Sequence, residues 1–388
     1  MGNGTAGRAL VVGGTGPTGP FVVQGLVDRG YAVTMLHTGR HERPEIPDVV
    51  EHVHTDPFDR DAVAGALGDR TFDLAVVMYG RLRDLVELLV GRVGRVLSVG
   101  GVPVLDGFGN PFQREPAGLP VPAAEEEAEL VDRGGRHEVA NDKVAKMIET
   151  ERAVFAAHPG ATHLRYPLVY GPHQLLPREW LVVRRVLDGR RRLILPDGGL
   201  HLCSAVHVAN AAASMLFCVD HPDVTGGRAL HVSDEVTPTL RQTVDVLSAA
   251  LGHTFEIVDL PFALATPAHP FVMRTSPHHR YSPATTLAAL GHRDVVPFDE
   301  GLAQTAHWLV EHRPECGGDT ERNLQDPFDY AAEDALMDAW MAARGPLQQA
   351  ATAADPCFVD RYAPEREAQR ARRRAVLAER RAAADDGG

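Results

Sequence analysis

Apolar positions fall into two rhythms along the first 170 or so residues. "RALVVGG" (Arg8–Gly14) is a short unbroken apolar run closed by glycines, the pattern of a parallel strand buried on both faces. "PFVVQGLVDRG" follows with helical spacing and stops at Gly30, which predicts an amphipathic helix. "AVTMLHT", "VEHVHTD", "DLAVVMY" and "RVLSVGG" predict further strands, with the helical stretches "RDAVAGALGD" and "LRDLVELLVG" between them. "DKVAKM" (Asp142–Met147) lies on another helix, and "THLRYPLVYGP" supplies a further strand with a turn after it. Strand and helix in alternation predict an α/β chain with a doubly wound parallel sheet.

The pattern then changes. Residues 106–136 are rich in Gly, Pro and Glu and read as an irregular insertion, and from 174 helices mix with short strands. Beyond 316 come a helical "YAAEDALMDAWMAA" and an Arg-rich "EREAQRARRRAVLAERRAAADD", a charged helix of the kind most often solvated or partly disordered, with a partner contact as the other reading. The expected organisation is a sheet domain over 1–173 with parts of 201–235 returning to it, a smaller mixed region over 174–315, and a helical extension over 316–388. No internal repeat is evident.

Composition narrows the function classes. The 388 residues can bury one large core or two modest ones, and 44% hydrophobic with 23% charged residues is ordinary for a globular protein. A formal net charge of -13 argues against a general nucleic-acid role, which needs clustered positive charge. No apolar run approaches a membrane span, and "MGNGTAGRALVV" lacks the apolar core of a signal peptide and carries its hydroxyl, Thr5, one residue too early for a myristoylation start. Cys203, Cys218, Cys316 and Cys357 form no CxxC pair, which fits a reducing compartment and an expected cytoplasmic location.

"GGTGPTG" places Gly13, Gly16 and Gly19 as GxxGxxG directly after a strand and opening a helix, with Thr15, Pro17 and Thr18 between them. Glycines there permit a tight turn and let a pyrophosphate approach the backbone N–H groups at the helix N-terminus, so the loop predicts a Rossmann-type dinucleotide site, a structural turn being the alternative. Where an NAD site usually offers an acid, the second strand ends in His37 and Thr38, with Arg40 just beyond. An Arg there pairs with a 2′-phosphate, so NADP is preferred with NAD possible, unless Arg40 is simply a surface residue. Asp56 is placed for the adenine amine.

With "VVGGTGPTG", "LRYPLVYGP", "PDGG", "VHVANAA" and the closing "YSPATTLAALGHRDVVPFDEGLAQTAHWLVEHRPE", the chain resembles the extended short-chain dehydrogenase/reductase family, which includes nucleotide-sugar epimerases and dehydratases, over roughly residues 8–313. The resemblance implies a substrate region over 174–315 and cofactor contacts from Met78 and Tyr79 at the fourth strand's end and from Tyr166, Pro167 and Val169 near the sixth. It also implies a YxxxK pair on one helix face, with Tyr moving a proton to or from the substrate oxygen while a nicotinamide exchanges hydride, and a Ser or Thr from the fifth strand. Family members are often dimers through a helix corresponding to "DKVAKM", which makes a homodimer possible.

YxxxK is absent here in every register, since no tyrosine lies between Tyr79 and Tyr166. Counting from the flanking motifs puts Lys143 at the Tyr position and Met147 at the Lys position. Yet Lys143 and Lys146 are the only lysines in a chain that otherwise writes Arg. An ammonium can release a proton, whereas a guanidinium effectively cannot, so Lys143 by register, with Lys146 as ribose partner if the helix is shifted, are candidates for the missing acid. The bland alternative is two solvated lysines. Tyr79, Ser98 and, on the substrate side, Tyr170, His137 and Leu168 complete the candidates.

Leu168 and Asn210 stand where a sugar-nucleotide enzyme typically has Asn and Asp, which favours a small or apolar substrate. His278 and His279 lack a carboxylate or Cys at ligand spacing, so no metal is expected there. The expected function is an NADP-dependent oxidoreductase on a carbonyl/alcohol pair with a non-standard proton donor. The alternatives are a non-redox isomerase, lyase or cyclase, or a catalytically silent cofactor-binding protein.

Overall fold

The computed structural model describes residues 7–78, 82–113, 115–125, 142–272, 279–355 and 357–385. Six strands follow the apolar runs: β1 (Gly7–Val12), β2 (Tyr31–His37), β3 (Glu51–His54), β4 (Phe72–Val77), β5 (Val93–Gly101) and β6 (Thr162–Tyr166). Later come β7 (Leu168–Tyr170), β8 (Arg192–Pro196), β9 (Ala205–His207), β10 (Arg228–His231) and β11 (Glu256–Leu260). Seven of them form one parallel sheet in the order β10-β6-β5-β4-β1-β2-β3, while β8–β11 and β7–β9 form two-stranded parallel sheets. Strand order reverses between β1 and β4, the switch point where doubly wound sheets bind ligands.

Helices α1 (Gly19–Asp28), α2 (Arg60–Leu67), α3 (Leu82–Val86), α4 (Asp142–Ala157), α5 (Trp180–Leu187) and α6 (Val208–Asp220) accompany the strands. β1 shows why the runs are unbroken: Ala9 and Val11 pack with α1 and α6, while Leu10 and Val12 pack with α2 and α3. Each fully buried Val or Leu is worth about 1.5–3 kcal/mol, so neither face can be left wet. Asp59 caps α2 by accepting from the Asp61 and Ala62 N–H groups at 3.1 and 3.0 Å, and Gly68, at φ 54°, ends it. The "LRDLVELLVG" helix is shorter than its spacing suggests, ending at Val86 before a turn that runs to Gly91 at φ 72°.

The chain divides into two compact units, Met1–Phe328 and Asp329–Gly388. The second contains the helices Tyr330–Ala353 and Arg366–Asp385, and the Arg372 guanidinium donates to Asp355 within it. Among the described residues no helix is long and apolar enough to cross a membrane.

A buried polar chain fixes α4 against the sheet. The guanidinium of Arg165 on β6 donates to both carboxylate oxygens of Glu151 on α4, at 3.0 and 2.6 Å. His163 Nε2 lies 3.6 Å from the same carboxylate, and its Nδ1 lies 2.8 Å from the hydroxyl of Ser98, its cross-strand partner on β5. A β-carbon at Gly100 would stand 2.2 Å from His163 Nε2, so the imidazole occupies the space that glycine leaves. Burial pushes Glu151 up, but the Arg165 guanidinium and His163 more than offset it and leave the carboxyl below its ordinary range. Burial also pulls His163 down to about 4, and His201 and His207 likewise.

The unfolded chain therefore binds protons on these histidines that the folded chain refuses between about pH 6.5 and 4. Stability falls as pH drops through that window, and protonation of Glu151 removes more below it. The melting temperature at pH 5 is expected roughly 5 °C or more below that at pH 7.5; a flat profile in calorimetry would contradict the assignment.

Candidate active site

The glycine loop sits at the switch point. Gly13 and Gly14 take φ of 100° and 89°, a left-handed region that favours glycine, and the Gly13 N–H donates to the Leu36 carbonyl at 2.9 Å. A β-carbon on Gly19 would lie 2.0 Å from the Gly14 carbonyl oxygen, so α1 can begin this close to the loop only with glycine. At Gly16, by contrast, a β-carbon would meet nothing within 4 Å. No side chain caps α1 and its first turn holds no acid, which leaves its positive end open to an anion. Thr15 and Pro17 are half-buried and Thr18 is buried. The loop thus forms a cradle that fits a pyrophosphate. Met78, beyond β4, is buried and bonds the Val12 carbonyl, placing it against Gly13.

At the outer end of β2, Thr38 and Arg40 are both exposed, the Arg40 N–H lying 3.4 Å from the Thr38 hydroxyl. Asp56 is exposed and its carboxylate accepts from the Phe58 N–H at 2.9 Å. Buried His37 lies beside His52, His54 and Glu42, a group that the strand reading of "VEHVHTD" missed. The signal was there: two histidines at i and i+2 share one face of a strand.

On α4, Val144, Ala145, Ile148, Glu151 and Val154 are buried, while Lys143 and Lys146 are exposed. Met147 faces the end of β5: its methyl would lie 2.5 Å from a β-carbon on Gly101. Lys143 is one turn earlier on the same stripe, whereas Lys146 is rotated about 100° away. Around Met147 lies an apolar group that includes Val102, Val104, Phe108 and Ile148. Met147 thus presents a thioether among hydrocarbon at the end of β5.

The other candidates are distributed differently. Ser98 is fully buried within the sheet, its hydroxyl engaged by His163. Tyr166 is core, donating to the Ala211 carbonyl at 3.0 Å. Tyr170 is buried and donates to Asp234 at 2.7 Å, and burial beside that carboxylate raises its phenol well above the usual range. Pro167, Leu168 and Val169 are half-buried. Tyr79, His137 and His278 lie outside the described residues.

Asn210 has a role its position in "VHVANAA" did not reveal. Its amide nitrogen donates to Asp234 and to the Val296 carbonyl, both at 2.8 Å, while its oxygen accepts from the Val295 and Val296 N–H groups, both at 2.9 Å. An Asp there could not donate to Asp234, whose carboxyl burial already pushes up.

A cavity of about 70 Å³ is lined by Arg178, Arg280, His201, Cys203 and Phe271 among others, with no carboxylate among its described lining residues. Arg178 donates to the Pro270 and Phe271 carbonyls at 3.0 and 2.6 Å, and buried Arg280 donates to the Phe108 carbonyl at 3.1 Å, linking the cavity to the segment after β5. His201 is buried with Nδ1 unpartnered. The lining suits an anionic group.

A 3-2-1-4-5-6 parallel sheet with a glycine loop at its switch point defines a Rossmann-type enzyme fold. Over 260 residues the chain is 30% identical to the 3-diazoavenalumate denitrifying reductase of a Streptomyces species, covering 63% of this chain and 82% of that protein. It is 24% identical over 227 residues to the chloroplast stem-loop binding protein of 41 kDa b from Arabidopsis thaliana, 54% of each chain. Among solved structures it shares its fold with the Bordetella bronchiseptica enzyme WbmH in complex with NAD+ (TM-score 0.60, 15% identity, 79% of this chain and 99% of that one). It shares it also with the dTDP-glucose 4,6-dehydratase DesIV from Streptomyces venezuelae (TM-score 0.57, 21% identity, 79% and 98%). No protein-family model matches. The chain belongs to the extended short-chain dehydrogenase/reductase family, of the NAD(P)-dependent epimerase/dehydratase type.

Two substitutions separate cradle from scaffold. Gly16→Ala is expected to leave the melting temperature unchanged and weaken dinucleotide binding roughly tenfold or more, because the new methyl occupies the open side of the loop. Asn210→Asp is expected to cost about 2 kcal/mol or more in denaturant unfolding, through two lost donors and a second buried carboxyl.

Proposed function

We propose that the protein is an NADP(H)-dependent reductase of a small aromatic carboxylate carrying a diazonium group. The observation that carries this reading is the open glycine loop together with the apolar surroundings of Met147 on α4; we read Met147 as standing where the family has its Lys, with no Tyr one turn before it. Bound in the cradle, a reduced nicotinamide dinucleotide supplies hydride. A carbonyl that accepts hydride becomes an alkoxide and needs a proton. An aryl diazonium cation that accepts hydride releases dinitrogen and leaves a neutral arene, so the charge balances with no acid required. The Streptomyces relative is named as a denitrifying reductase of a diazo acid, which supports the same chemistry here. A net charge of -13 gives no support to the stem-loop binding in the plant relative's name.

The chain's own residues take distinct parts. Arg40, exposed beyond β2, pairs with the 2′-phosphate that distinguishes NADP. Arg178 and Arg280 receive the substrate carboxylate at the cavity, and the apolar group around Met147 receives its ring. A second reading, reduction of a carbonyl with Lys143 as acid, is supported by the stripe Lys143 shares with Met147.

The test is protein-dependent oxidation of NADPH with 4-carboxybenzenediazonium, the products being benzoate and dinitrogen by mass spectrometry. Arg40→Ala is expected to weaken NADPH binding about tenfold with little effect on NADH, and Arg178→Met to raise KM more than it lowers kcat. Lys143→Met is expected to leave diazo reduction intact. No turnover of the diazonium, together with carbonyl reduction that Lys143→Met lowers about 100-fold or more, would replace the first reading by the second.

A further inference from the structure

We propose that His37, His52, His54 and Glu42 form a binding site for a divalent transition metal of zinc type at the outer end of the β2–β3 edge. One potential ligand atom from each lies within 4.8 Å of all the others. Individual separations are 2.9 Å between His37 Nε2 and His52 Nδ1, 3.2 Å between His54 Nε2 and Glu42, and 3.6 Å between His52 Nδ1 and Glu42. A tetrahedral ion with bonds of about 2.0–2.1 Å spaces its ligands about 3.3 Å apart, inside this range. Each ring pair meets edge-on, at interplanar angles of 70°, 89° and 81°, so the imidazoles converge by their nitrogens and do not stack.

The sheet supplies the preorganisation. Parallel pairing sets His37 opposite His54 and Met35 opposite His52, which brings all three imidazoles to one face of two hydrogen-bonded strands. The Thr55 N–H donates to the His37 carbonyl at 2.9 Å and holds the strand ends together. Gly39, at φ 71°, turns the following loop back so closely that a β-carbon would lie 3.2 Å from the His54 ring, and this loop carries Glu42. Binding has two local costs, the first being the 2.9 Å hydrogen bond between His37 Nε2 and His52 Nδ1, which gives way to bonds to the ion. The second is at Gly39, whose N–H lies 3.3 Å from His37 Nδ1, and that weak contact is released when the ring proton moves to Nδ1 and Nε2 takes the metal. Three imidazoles and one carboxylate favour zinc, nickel or copper over magnesium or calcium, which prefer oxygen ligands.

The experiment is titration of the untagged, chelator-treated protein with Co²⁺, followed by the visible d–d absorption of a four-coordinate ion. One equivalent is expected to bind, to be displaced by Zn²⁺, and to weaken about tenfold or more in both His52→Ala and His54→Ala. Both residues are exposed on an edge strand, so neither truncation opens the core. Zn²⁺ is expected to raise the melting temperature of the parent chain and of neither variant. Absence of the absorption, or cobalt binding that both variants retain, overturns the proposal. Binding of NADPH but not NADH that weakens in both variants, with no metal bound to the parent, would reassign the cluster to a 2′-phosphate.

Discussion

The approach of α1 to the glycine loop is the contact on which the ligand edge of the sheet depends. Gly19 comes so near the Gly14 carbonyl that no β-carbon fits, and this sets the start of α1 against the end of β1. The helix then packs Val22, Val23 and Leu26 on the face of β1 that carries Ala9 and Val11. Its uncapped N-terminus is thereby aimed at the crevice between β1 and β4. A larger residue at 19 would push the helix away and disturb core packing and anion site together.

Helix α4 is governed by a different force. Its apolar stripe would allow some rotation, but the paired hydrogen bonds from Arg165 to Glu151 do not. Removing one partner of such a buried pair leaves an uncompensated charge, typically a loss of 3–5 kcal/mol. The same pairing that secures the helix turns both lysines outward and Met147 toward Gly101.

The sheet was legible because strands buried on both faces must be written as continuous apolar runs, and the loop because positive φ and close approach demand glycine. The helix carrying "DKVAKM" could also be read, since α4 does begin at Asp142. What could not be read was pairing between distant segments. Nothing near Asn210 announces Asp234, so the residue looked like a departure from a substrate site when it serves as a four-bond clamp. Ser98 looked like a strand-end hydroxyl until the β5–β6 register set it opposite His163. Arg178 and Arg280, about a hundred residues apart in sequence, meet at one cavity only in the folded chain.

β3 closes one margin of a seven-stranded sheet, where unpaired backbone groups invite another chain to add a strand. It is only four residues long, and three of them, Glu51, His52 and His54, are exposed and polar. Brevity and polar bulk make it a poor template for edge-to-edge association. Replacing those side chains with Val or Ile would give the sheet an apolar border that favours edge-to-edge pairing of chains.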